Sequence, residues 1–547
     1  MTDTTILRAR KILTMNSYQP EATHVAIREG RVLGVGNSPE DLAGWGPAEV
    51  DDRFADKVLM PGFVEGHCHA KEGGMWDFPF VGYLDRYDPD GKLWEGADTM
   101  EKVVDRLSKI EREMPEDQML FAWGFDPIYF DGARMGLEDI DRVSTTRPIV
   151  ILHSNGHVIN VNSAVLGKAG INRETNVDGV VKDASGNPTG ELAEQAAKYM
   201  AYRVTGDPFF KGIAEHDLVR FGQACANCGV TTATDLFAVF TDESLAAYSA
   251  ATRRKGFPIR IMPAMNTLDR PPAEGIEALN AAKKGNNSKL IFQLVKVMTD
   301  GSIQGMSARM KWPGYYNGIP NGVWNAPPEQ LVDMVHAYNK AGAHIHMHVN
   351  GDEASELMID ALEAALAEHP RRDHRHTLQH CQMADESQFR RMAALGICSN
   401  MFANHIYYWG DQHRDITMGP DRAARMDACR TAERHGVNFA IHSDAPVTPL
   451  APLFTAWCAV NRLTASGKVL GENEKISVQS ALYAITLGAA WTLKMDHLVG
   501  SIEPGKWADF AVLEQDPYEV APEALKDIPV WGTITAGQAT PAAGRDG

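Results

Sequence analysis

The sequence predicts an α/β protein built on a (β/α)8 (TIM) barrel, with a β-sandwich made from both chain ends and a large insertion after the first barrel strand. Three observations support this prediction. Short apolar strands alternate with helical segments through most of the chain, which is typical of a parallel α/β structure. Both chain ends are rich in strands. One interval within the alternating region is too long for a single crossover helix.

The two chain ends, residues 1–60 and 495–547, are expected to form the β-sandwich together. The strand candidates are Thr5–Met15, His24–Ile27, Arg31–Gly36, Phe510–Leu513 and Val530–Thr535. A tight turn at Glu29-Gly30 separates two of them, since glycine readily adopts the backbone angles of a hairpin turn. Neither end alone carries enough apolar residues for a core, so the simplest arrangement joins them beside the barrel.

The barrel is assigned to residues 61–69 and 221–494. Eight strand candidates alternate with helices, namely Val58–His67, Val230–Asp235, Ile259–Ala264, Leu294–Asp300, His344–Val349, Thr377–Cys381, Ile397–Met401 and Phe439–Asp444. Eight parallel strands close a (β/α)8 barrel, and such a barrel brings the carboxyl ends of all its strands to one face. We therefore expect the active site where these eight strands end.

Residues 70–220 separate the first two barrel strands and are expected to form an insertion domain that covers the barrel mouth. The interval has strand candidates of its own, Met119–Gly124, Ile149–His153 and His157–Asn162. It also has two helix candidates, Met100–Glu113 and Gly190–Tyr202. A crossover helix needs far fewer residues than this interval contains.

The composition excludes several classes of partner. Lys plus Arg number 53 and Asp plus Glu number 71, which gives a formal net charge of −18. An acidic surface repels phosphate backbones, so nucleic acid is not an expected partner. No segment approaches the roughly 18 consecutive apolar residues of a membrane-spanning helix, and Met1–Thr5 does not begin a secretory signal. The seven scattered cysteines suit a reducing compartment, so we expect a cytoplasmic protein.

The first barrel strand ends in two histidines that suit a metal ion. In a strand, residues i and i+2 point to the same side, so His67 and His69 face one way and Cys68 faces the other. Imidazole is a common metal ligand, and two such rings can hold one ion. An H-x-H pair alone is weak evidence, but its place at the end of a barrel strand strengthens it.

The fourth strand carries Lys296 among Val and Met residues, so we expect a buried ammonium group, which is costly without a partner. One interpretation is a salt bridge to Asp300 within the barrel. The other is a lysine that burial deprotonates and that CO2 converts to a carbamate, which then bridges two metal ions. The residues alone leave both interpretations open.

Three further strands end in side chains that can bind a metal. The fifth strand alternates His344, His346 and His348, and His348 is the ligand candidate because it lies nearest the carboxyl end. His344 and His346 are expected deeper, as hydrogen-bonded structural residues. The sixth strand ends at His380. The eighth ends in Asp444, whose carboxylate can both bind metal and accept a proton from bound water.

Together these strand ends resemble the amidohydrolase superfamily, whose pattern is H-x-H, Lys, His, His and Asp on strands one, four, five, six and eight. The resemblance covers nearly the whole chain, and the segments Pro61–His69 and Gly500–Asp509 also match. Within the superfamily the sequence is similar to the family-three branch, which includes N-substituted formamide deformylases. The branch motifs are Ser154-Asn155-Gly156-His157, Asn162-Ser163, Thr299-Asp300-Gly301 and Asp444-Ala445-Pro446-Val447.

The resemblance implies a binuclear centre with about two divalent ions per chain, most simply Zn2+. It places His67, His69 and Asp444 on the more buried ion, Lys296 as a bridging carbamate, and His348 and His380 on the more exposed ion. One departure is Gln379, where relatives often have Glu. This departure leaves the ligand His380 in place but changes the groups around the metal ligands.

The implied reaction is hydrolysis of a non-peptide C–N bond, in an amide or an N-formyl or N-acyl amine, by a metal-bridging hydroxide. Asp444 takes the proton of the water and passes it to the leaving nitrogen. His157 donates a hydrogen bond to the developing oxyanion if the insertion covers the mouth, and a purely structural role is the alternative. The other substrate-binding candidates are Asp300, His405, His442 and Trp409.

The substrate is expected to be a small molecule with an apolar or aromatic group. Aromatic residues follow the first and seventh strands, namely Trp76, Phe78, Phe80, Tyr83, Trp94, Phe402, Tyr407, Tyr408 and Trp409. Such residues line apolar pockets, although they also pack lids onto barrels. The same centre would serve a cyclic amidase, a lactonase or esterase, or a deaminase. A non-catalytic binding protein is the remaining alternative, and a homodimer is the assembly considered.

Overall fold

The computed structural model describes residues 4–130, 134–209 and 212–545. Its centre is an eight-stranded sheet, here called the central sheet, in which consecutive strands lie side by side and run parallel. The strands are Phe63–Glu65, Val230–Ala238, Arg260–Asn266, Leu294–Met298, His344–Val349, Thr377–His380, Cys398–Met401 and Phe439–Ile441. Each overlaps one of the eight predicted strands, so the predicted parallel α/β order is confirmed.

Helices connect the strands of the central sheet and pack against them. They are Glu215–Asn227, Asp242–Arg253, Pro272–Ala282, Pro328–Lys340, Asp352–Glu368, Glu386–Leu395, His405–Gln412, Pro420–Ala423, Cys429–His435, Pro452–Asn461, Val478–Ala484 and Leu487–Thr492. Short 3-10 turns at Lys283–Gly285 and Glu472–Glu474 and a π-helical turn at His413–Thr417 complete this region. Because the strands are buried on both faces, they are nearly continuous apolar runs in the sequence.

The central sheet curls until its first and eighth strands approach each other. The backbone N–H of Asp444 donates to the carbonyl of His67 at 3.2 Å. The backbone N–H of Ser443 donates to the carboxylate of Glu65 at 3.1 Å. Among the described residues these two strands do not form an ordinary ladder. The structure therefore shows a curled parallel sheet, and its closure into a complete (β/α)8 barrel stays a prediction.

The predicted first strand, Val58–His67, is divided at Gly62. Its first half belongs to the long strand Ala48–Pro61 outside the central sheet, and only Phe63–Glu65 joins the central sheet. A Cβ atom at Gly62 would lie 2.0 Å from the hydroxyl oxygen of Thr231. Glycine is therefore required where the chain passes from one sheet to the other.

Strands from both chain ends pair in one sheet, here called the terminal sheet. In spatial order its strands are Gln538–Pro541, Val530–Thr535, Phe510–Leu513, Ala48–Pro61, Thr4–Leu13, Glu21–Arg28 and Arg31–Gly36, with 3-10 turns at Glu40–Trp45 and Pro522–Asp527. The β-sandwich stays a prediction, and hydrogen bonding joins the seven strands in one continuous sheet. The reason is the length of Ala48–Pro61, which pairs with Thr4–Leu13 and, through its last residues, with Phe510–Leu513.

The predicted hairpin turn at Glu29-Gly30 is present in the terminal sheet. Both residues have positive φ angles, 54° for Glu29 and 73° for Gly30. This combination matches the type I′ turn, whose twist suits the two strands that it joins. A Cβ atom at Gly30 would also lie 2.9 Å from the Cβ of Ala536. Glycine therefore serves both the turn and the packing of the two chain ends.

Between the first two central strands the chain forms a five-stranded sheet, here called the insertion sheet. In spatial order its strands are Val180–Lys182, Pro188–Ala193, Val158–Val161, Ile149–His153 and Leu120–Phe125. Its helices are Met100–Glu113, Leu137–Asp141, Ser163–Ala169 and Glu194–Thr205, and shorter elements are Glu72–Met75, Arg86–Tyr87, Leu93–Trp94 and Pro127–Tyr129. The predicted helix Met100–Glu113 and the three predicted strands are all present.

The predicted helix Gly190–Tyr202 is wrong in its first part. Pro188–Ala193 form a strand, and the helix begins only at Glu194. Gly190 has a φ of +90°, which no right-handed helix adopts, and Glu191 pairs with Asn160. Backbone pairing in the insertion sheet therefore overrides the helical pattern of the sequence.

Each of the three sheets packs against a buried apolar cluster, and the cluster of the central sheet also includes terminal-sheet residues such as Met60. Val295 and Ile345 belong to the cluster of the central sheet, Val150 and Ile159 to that of the insertion sheet, and Leu59 to that of the terminal sheet. Within the described ranges, no helix combines the length and apolar composition needed to cross a bilayer.

Candidate metal centre

A cavity of about 90 Å³ lies at the carboxyl ends of the central strands. Eight of the predicted site residues line this cavity, here called the metal cavity: His67, His69, His157, Lys296, His348, His380, His405 and Asp444. Parallel strands bring their carboxyl ends together, which explains why residues far apart in the chain meet here. All six predicted metal ligands are among them.

One group of possible metal ligands in the cavity consists of two imidazoles and one carboxylate. The Nε2 atoms of His67 and His69 lie 3.3 and 3.2 Å from the same oxygen, Oδ1 of Asp444. The ligand atoms of these three residues all lie within 4.8 Å of one another. Oδ1 of Asp444 is buried and, among the described residues, accepts no hydrogen bond. Two nitrogens and an oxygen that converge on one point fit a divalent cation such as zinc.

A second pair of nitrogens lies beside this group. Nε2 of His380 is 3.0 Å from Nδ1 of His348. The other ring nitrogen of His348 lies 3.2 Å from the carbonyl oxygen of Gly301, to which it donates. The two facing nitrogens therefore come from rings whose orientation the fold sets. Oδ2 of Asp444 lies 3.8 Å from Nδ1 of His380, so the two groups adjoin.

Three imidazoles of the cavity, those of His67, His348 and His380, are held in their neutral form. Burial, together with nearby Lys296, lowers the pKa of His67 far below its ordinary value. The same two causes lower the pKa of His348 to about 3. Burial and the neighbouring His348 also lower the pKa of His380 well below its ordinary value. Neutral imidazole carries the lone pair that a metal ion needs, so the set can bind a cation at neutral pH.

Lys296 is buried in the floor of the metal cavity, with a relative exposure of 1%. Its Nζ lies 3.5 Å from Nε2 of His67. Burial lowers the pKa of Lys296 to about 7. Among the described residues it forms no salt bridge to Asp300, whose carboxylate accepts the backbone N–H groups of Arg309, Asn350 and Gly351. The salt-bridge interpretation is therefore wrong, and a reactive neutral amine is consistent with the site.

Gln379 fixes the orientation of the His67 ring through a hydrogen bond to the ring nitrogen that faces away from the metal cavity. The Nδ1–H of His67 donates to Oε1 of Gln379 at 2.8 Å, so Nε2 of His67 faces the cavity. The amide of Gln379 is itself held, because its Nε2 donates to Nδ1 of His346 at 2.6 Å and its Oε1 accepts from Asn400 at 3.0 Å. His346 thus has the structural role that its depth in the strand predicted.

The insertion sheet contributes two residues to the metal cavity, Asn155 and His157. The backbone N–H of His157 donates to Oδ1 of Asn155 at 2.8 Å, which fixes the turn. Nδ1 of His157 lies 3.3 Å from a carboxylate oxygen of Glu194. With its Nδ1–H donated to this carboxylate, the ring can donate from Nε2 only when it is protonated.

The sequence of residues 55–541 matches the model of the amidohydrolase family. The chain belongs to the amidohydrolase family. YtcJ of Bacillus subtilis is 26% identical over 542 residues, which cover 96% of this chain and 97% of YtcJ. The N-substituted formamide deformylase of Arthrobacter pascens is 24% identical over 561 residues, which cover 98% of each chain.

A solved structure shows the same fold as this amidohydrolase. The uncharacterised metal-dependent hydrolase of Pyrococcus horikoshii superposes with a TM-score of 0.72 at 19% identity, covering 95% of this chain and 99% of that one. Family and fold agree with the His and Asp cluster of the cavity. The amidohydrolase is thus a metal-dependent hydrolase that acts on small molecules, and the resemblance seen in the sequence is confirmed.

Three predicted substrate contacts of the amidohydrolase do not line the metal cavity. The carboxylate of Asp300 accepts backbone hydrogen bonds, as described above. Trp409 donates its indole N–H to Asp126 at 3.0 Å and lines a neighbouring cavity. His442 is buried against His67, with ring centroids 4.5 Å apart. Asp300 and Trp409 therefore lie outside the cavity, whereas the ligand atoms of His442, His67 and His380 all lie within 4.8 Å of one another.

Sequence reasoning missed Asp235, which ends the predicted strand Val230–Asp235 and lies within the observed strand Val230–Ala238, close to the amidohydrolase's metal cavity. Its side chain is buried and accepts a hydrogen bond from the hydroxyl of Tyr248. Phe237 and Val447 were also missed, and both line the metal cavity. The same signal that indicated Asp444, a carboxylate at the end of an apolar strand, was present for Asp235.

Proposed function

We propose that this amidohydrolase hydrolyses a C–N bond outside peptides, in an amide or an N-formyl or N-acyl amine, at a binuclear zinc centre. The observation that carries the proposal is the convergence of His67, His69 and Asp444 on one point, with the facing nitrogens of His348 and His380 beside it. A single ion does not require five such ligands, because zinc in proteins is usually bound by four.

Lys296 would complete the ligand set as a carbamate. Its neutral amine adds to the carbon of CO2 and loses one proton, which gives a negatively charged group with two oxygen ligands. Burial supplies the neutral amine near pH 7, since it lowers the pKa of Lys296 to about 7. The short distance between Nζ of Lys296 and Nε2 of His67, 3.5 Å, supports a shared site.

Zinc ions held by these residues would lower the pKa of a bound water and polarise a substrate carbonyl. Asp444 accepts the proton of the attacking water and delivers it to the leaving nitrogen. His157 donates a hydrogen bond to the carbonyl oxygen as negative charge develops on it. Its pairing with Glu194 and its place on the cavity wall support this role.

The insertion would exclude bulk water from the reaction. Asn155 and His157 come from the insertion and line the metal cavity together with the strand ends. A site closed in this way would strengthen electrostatic contacts to the transition state. We accordingly assign residues 70–220 as the covering domain, residues 61–69 and 221–494 as the catalytic domain, and residues 1–60 and 495–547 as the terminal domain.

Metal analysis and a substrate panel test the proposal. Purified enzyme, dialysed with zinc and bicarbonate, should hold about two zinc ions per chain by elemental analysis. The panel contains N-formyl and N-acyl amines, cyclic amides, lactones and aminated heterocycles. Release of an amine from the first group is expected. If the enzyme turns over only the lactones, or only deaminates the heterocycles, the centre is assigned to that reaction. A zinc-loaded enzyme that turns over no compound of the panel would contradict the proposal.

A further inference from the structure

Arg86 lies in the insertion and is buried next to the loop that carries Asp444, here called the Asp444 loop and defined as residues 444–448. It belongs to the short strand Arg86–Tyr87. It is not one of the residues that line the metal cavity, and the mechanism described above does not use it. A buried guanidinium is costly unless its charge and its N–H groups are satisfied, so its partners indicate what it is for.

The guanidinium of Arg86 donates to two carbonyl groups of the Asp444 loop. Nη1 of Arg86 lies 2.6 Å from the carbonyl oxygen of Pro446, and Nη2 lies 3.3 Å from that of Thr448. In the parts of the chain that the structure describes, no backbone N–H donates to either carbonyl. Arg86 therefore ties the end of the Asp444 loop to the insertion.

The charge of Arg86 is balanced by Glu72, which follows the metal ligand His69 by three residues. Nη2 of Arg86 lies 2.7 Å from Oε1 of Glu72, and both side chains are buried. The backbone N–H of Glu72 donates to the carbonyl of His69 at 3.0 Å, so the carboxylate is fixed to the segment of the metal ligands. One guanidinium thus joins the segment of His67 and His69 to the Asp444 loop.

Three aromatic rings surround the guanidinium of Arg86. Its central carbon lies 5.0 Å from the ring centre of Trp123, 5.5 Å from that of Trp76 and 5.9 Å from that of Phe80. Cation–π attraction acts over such distances and is stronger where water is excluded. All three rings belong to the buried core of the insertion sheet. The position of Arg86 is therefore set by the core of the insertion.

The Asp444 loop needs support because its ligand residue has an unfavourable backbone conformation. Asp444 has a φ of +52°, a value that residues other than glycine rarely adopt. Its Oδ1 must stay close to the Nε2 atoms of His67 and His69, which lie 3.3 and 3.2 Å away. Backbone hydrogen bonds to the segment of the two histidines hold the start of the loop, whereas Arg86 holds its end.

We infer that Arg86 is a positioning residue of the metal centre. Together with Glu72 it holds the Asp444 loop, and hence the carboxylate of Asp444, in place beside His67 and His69. A guanidinium suits this task because its planar fork donates to several acceptors at once, whereas an ammonium group is a point charge. The inference rests on the proposed function in one respect, since it takes these three ligands to bind zinc.

Arg86→Lys distinguishes positioning from simple charge pairing. Lysine keeps a positive charge beside Glu72 but lacks the planar fork that also holds the loop. We expect zinc affinity, measured by competition with a chelator, to fall about 10- to 100-fold, as is usual when a group behind a metal ligand is lost. Cobalt(II) bound in place of zinc should give a changed visible spectrum, because that spectrum reports the coordination geometry. At saturating zinc, kcat should fall about 10- to 100-fold with KM unchanged.

Arg147→Lys is the matched control. Arg147 is also a buried arginine of the insertion, and its Nε lies 3.0 Å from a carboxylate oxygen of Glu111. Its other N–H groups donate to carbonyl groups within the insertion, among them that of Pro115 at 2.6 Å. The control variant should lose thermal stability as Arg86→Lys does, but it should keep the zinc affinity, cobalt spectrum and kcat of the wild-type enzyme.

A double variant, Arg86→Met with Glu72→Leu, keeps the test decisive if Arg86→Lys does not fold. Removing both charges together leaves no buried charge unpaired, so this chain is expected to fold. It lacks the connection between the insertion and the Asp444 loop. Its zinc affinity should therefore still lie at least about 10-fold below that of the wild-type enzyme.

The outcomes separate this inference from the proposed function. Weaker zinc binding in the Arg86 variants but not in Arg147→Lys, without hydrolysis of any compound of the panel, supports the positioning role and contradicts C–N bond hydrolysis. Amide hydrolysis with wild-type zinc affinity, cobalt spectrum and kcat in Arg86→Lys supports the proposed function and overturns the positioning role. Equal losses of zinc affinity in Arg86→Lys and Arg147→Lys also overturn it, because any damage to the insertion would then have the same effect.

Discussion

A hydrogen bond of 2.8 Å joins the ring of His67 to the side-chain amide of Gln379. The amide is neutral, whereas a carboxylate at this position would carry a negative charge. A carboxylate behind a metal-binding imidazole makes the ring more basic and a stronger ligand. An amide oxygen fixes the same tautomer with less effect on basicity. The centre therefore gains the orientation of His67 without a second buried charge next to Asp444.

The first prediction concerns this contact. Gln379→Leu removes the acceptor of the His67 Nδ1–H, so zinc affinity should fall about 10- to 100-fold, as is usual when such a partner is lost. Competition with a chelator of known affinity measures the change. Gln382→Leu is the matched control, since Gln382 is equally buried but contacts His413 instead. Equal zinc affinities in the two variants would show that Gln379 does not position the ligand.

The second prediction concerns the carbamate. Lys296→Ala should lower the bound zinc by about one ion per chain and remove most activity, because the bridging ligand is lost. Formate or acetate, which resemble the carbamate, should restore part of both. In the unchanged enzyme, 13C-bicarbonate should give a carbamate signal by NMR. Lys289→Ala, in the loop before the same strand, should leave zinc content unchanged, and a wild-type enzyme with full zinc and no carbamate signal would disprove the bridge.

The third prediction concerns His157. If its Nε2–H stabilises the oxyanion, His157→Asn should lower kcat by about 10²- to 10³-fold with zinc retained. A structural histidine would instead lower the melting temperature and leave the turnover of the folded enzyme intact. The control is His216→Asn, because that side chain is 60% exposed. Zinc content, melting temperature and kcat, measured on both variants, separate the two roles.

The strand positions were predictable because most central strands are buried on both faces and read as compact apolar runs, such as Leu294–Met298. The interruption of the strand at Gly62 was not predictable, because the apolar pattern of the sequence continues across it. Only the close approach of Thr231 requires a glycine there. The strand Pro188–Ala193 was also missed. Its partner Val158–Val161 is distant in the sequence, and a local pattern does not report such pairing.

The ligand set was predictable for a different reason. In a parallel α/β fold, a residue at a strand end has a known place, so His67 and Asp444 could be brought together without a structure. Side chains that follow the strand ends, in helices or loops, have no such rule. Trp409 and Asp300 were taken for substrate contacts because their partners, Asp126 and backbone N–H groups, are assembled only by the fold.

The fourth prediction concerns acid stability. Burial lowers the pKa of His344 to about 3, against about 6.5 in an unfolded chain. Between these values the unfolded chain binds a proton that the folded chain does not. The free energy of unfolding should therefore fall as the pH falls from about 6.5 towards 3, by up to about 1.4 kcal/mol per pH unit from this residue.

Urea denaturation of metal-free protein between these pH values measures the slope for His344. His344→Gln should make the decline less steep, because it removes one group that titrates only after unfolding. The exposed His497 provides the control variant, His497→Gln, which should keep the wild-type slope. An unaltered slope in His344→Gln would mean that this imidazole is not buried in neutral form.

The fifth prediction concerns the contact between the central and terminal sheets. The guanidinium of Arg260 donates to both carboxylate oxygens of Asp509, at 2.7 and 3.1 Å, and both side chains are buried. Asp509→Ala leaves the charge of Arg260 buried and unpaired, so the free energy of unfolding should fall by about 3–5 kcal/mol. Denaturant titration checks this value.

The control for that measurement is Asp52→Ala, which breaks an exposed ion pair with Arg8. Screening by solvent limits such a pair to less than about 1 kcal/mol. If Asp509→Ala lowers the free energy of unfolding no more than Asp52→Ala does, the buried ion pair does not stabilise the contact between the two sheets. Removal of residues 500–547, which eliminates the pair and three strands of the terminal sheet, should then be similarly mild instead of preventing folding.

The pairing of Pro61 with Phe510 has a consequence for how the protein is made. These partners are roughly 450 residues apart, and a ribosome adds about 5–20 residues per second, so the second emerges roughly 20 to 90 s after the first. During that time the edge of Ala48–Pro61 that will receive Phe510–Leu513 has no strand beside it. An unpaired edge is a template for other chains, so the nascent polypeptide is exposed to aggregation until Phe510–Leu513 leaves the ribosome.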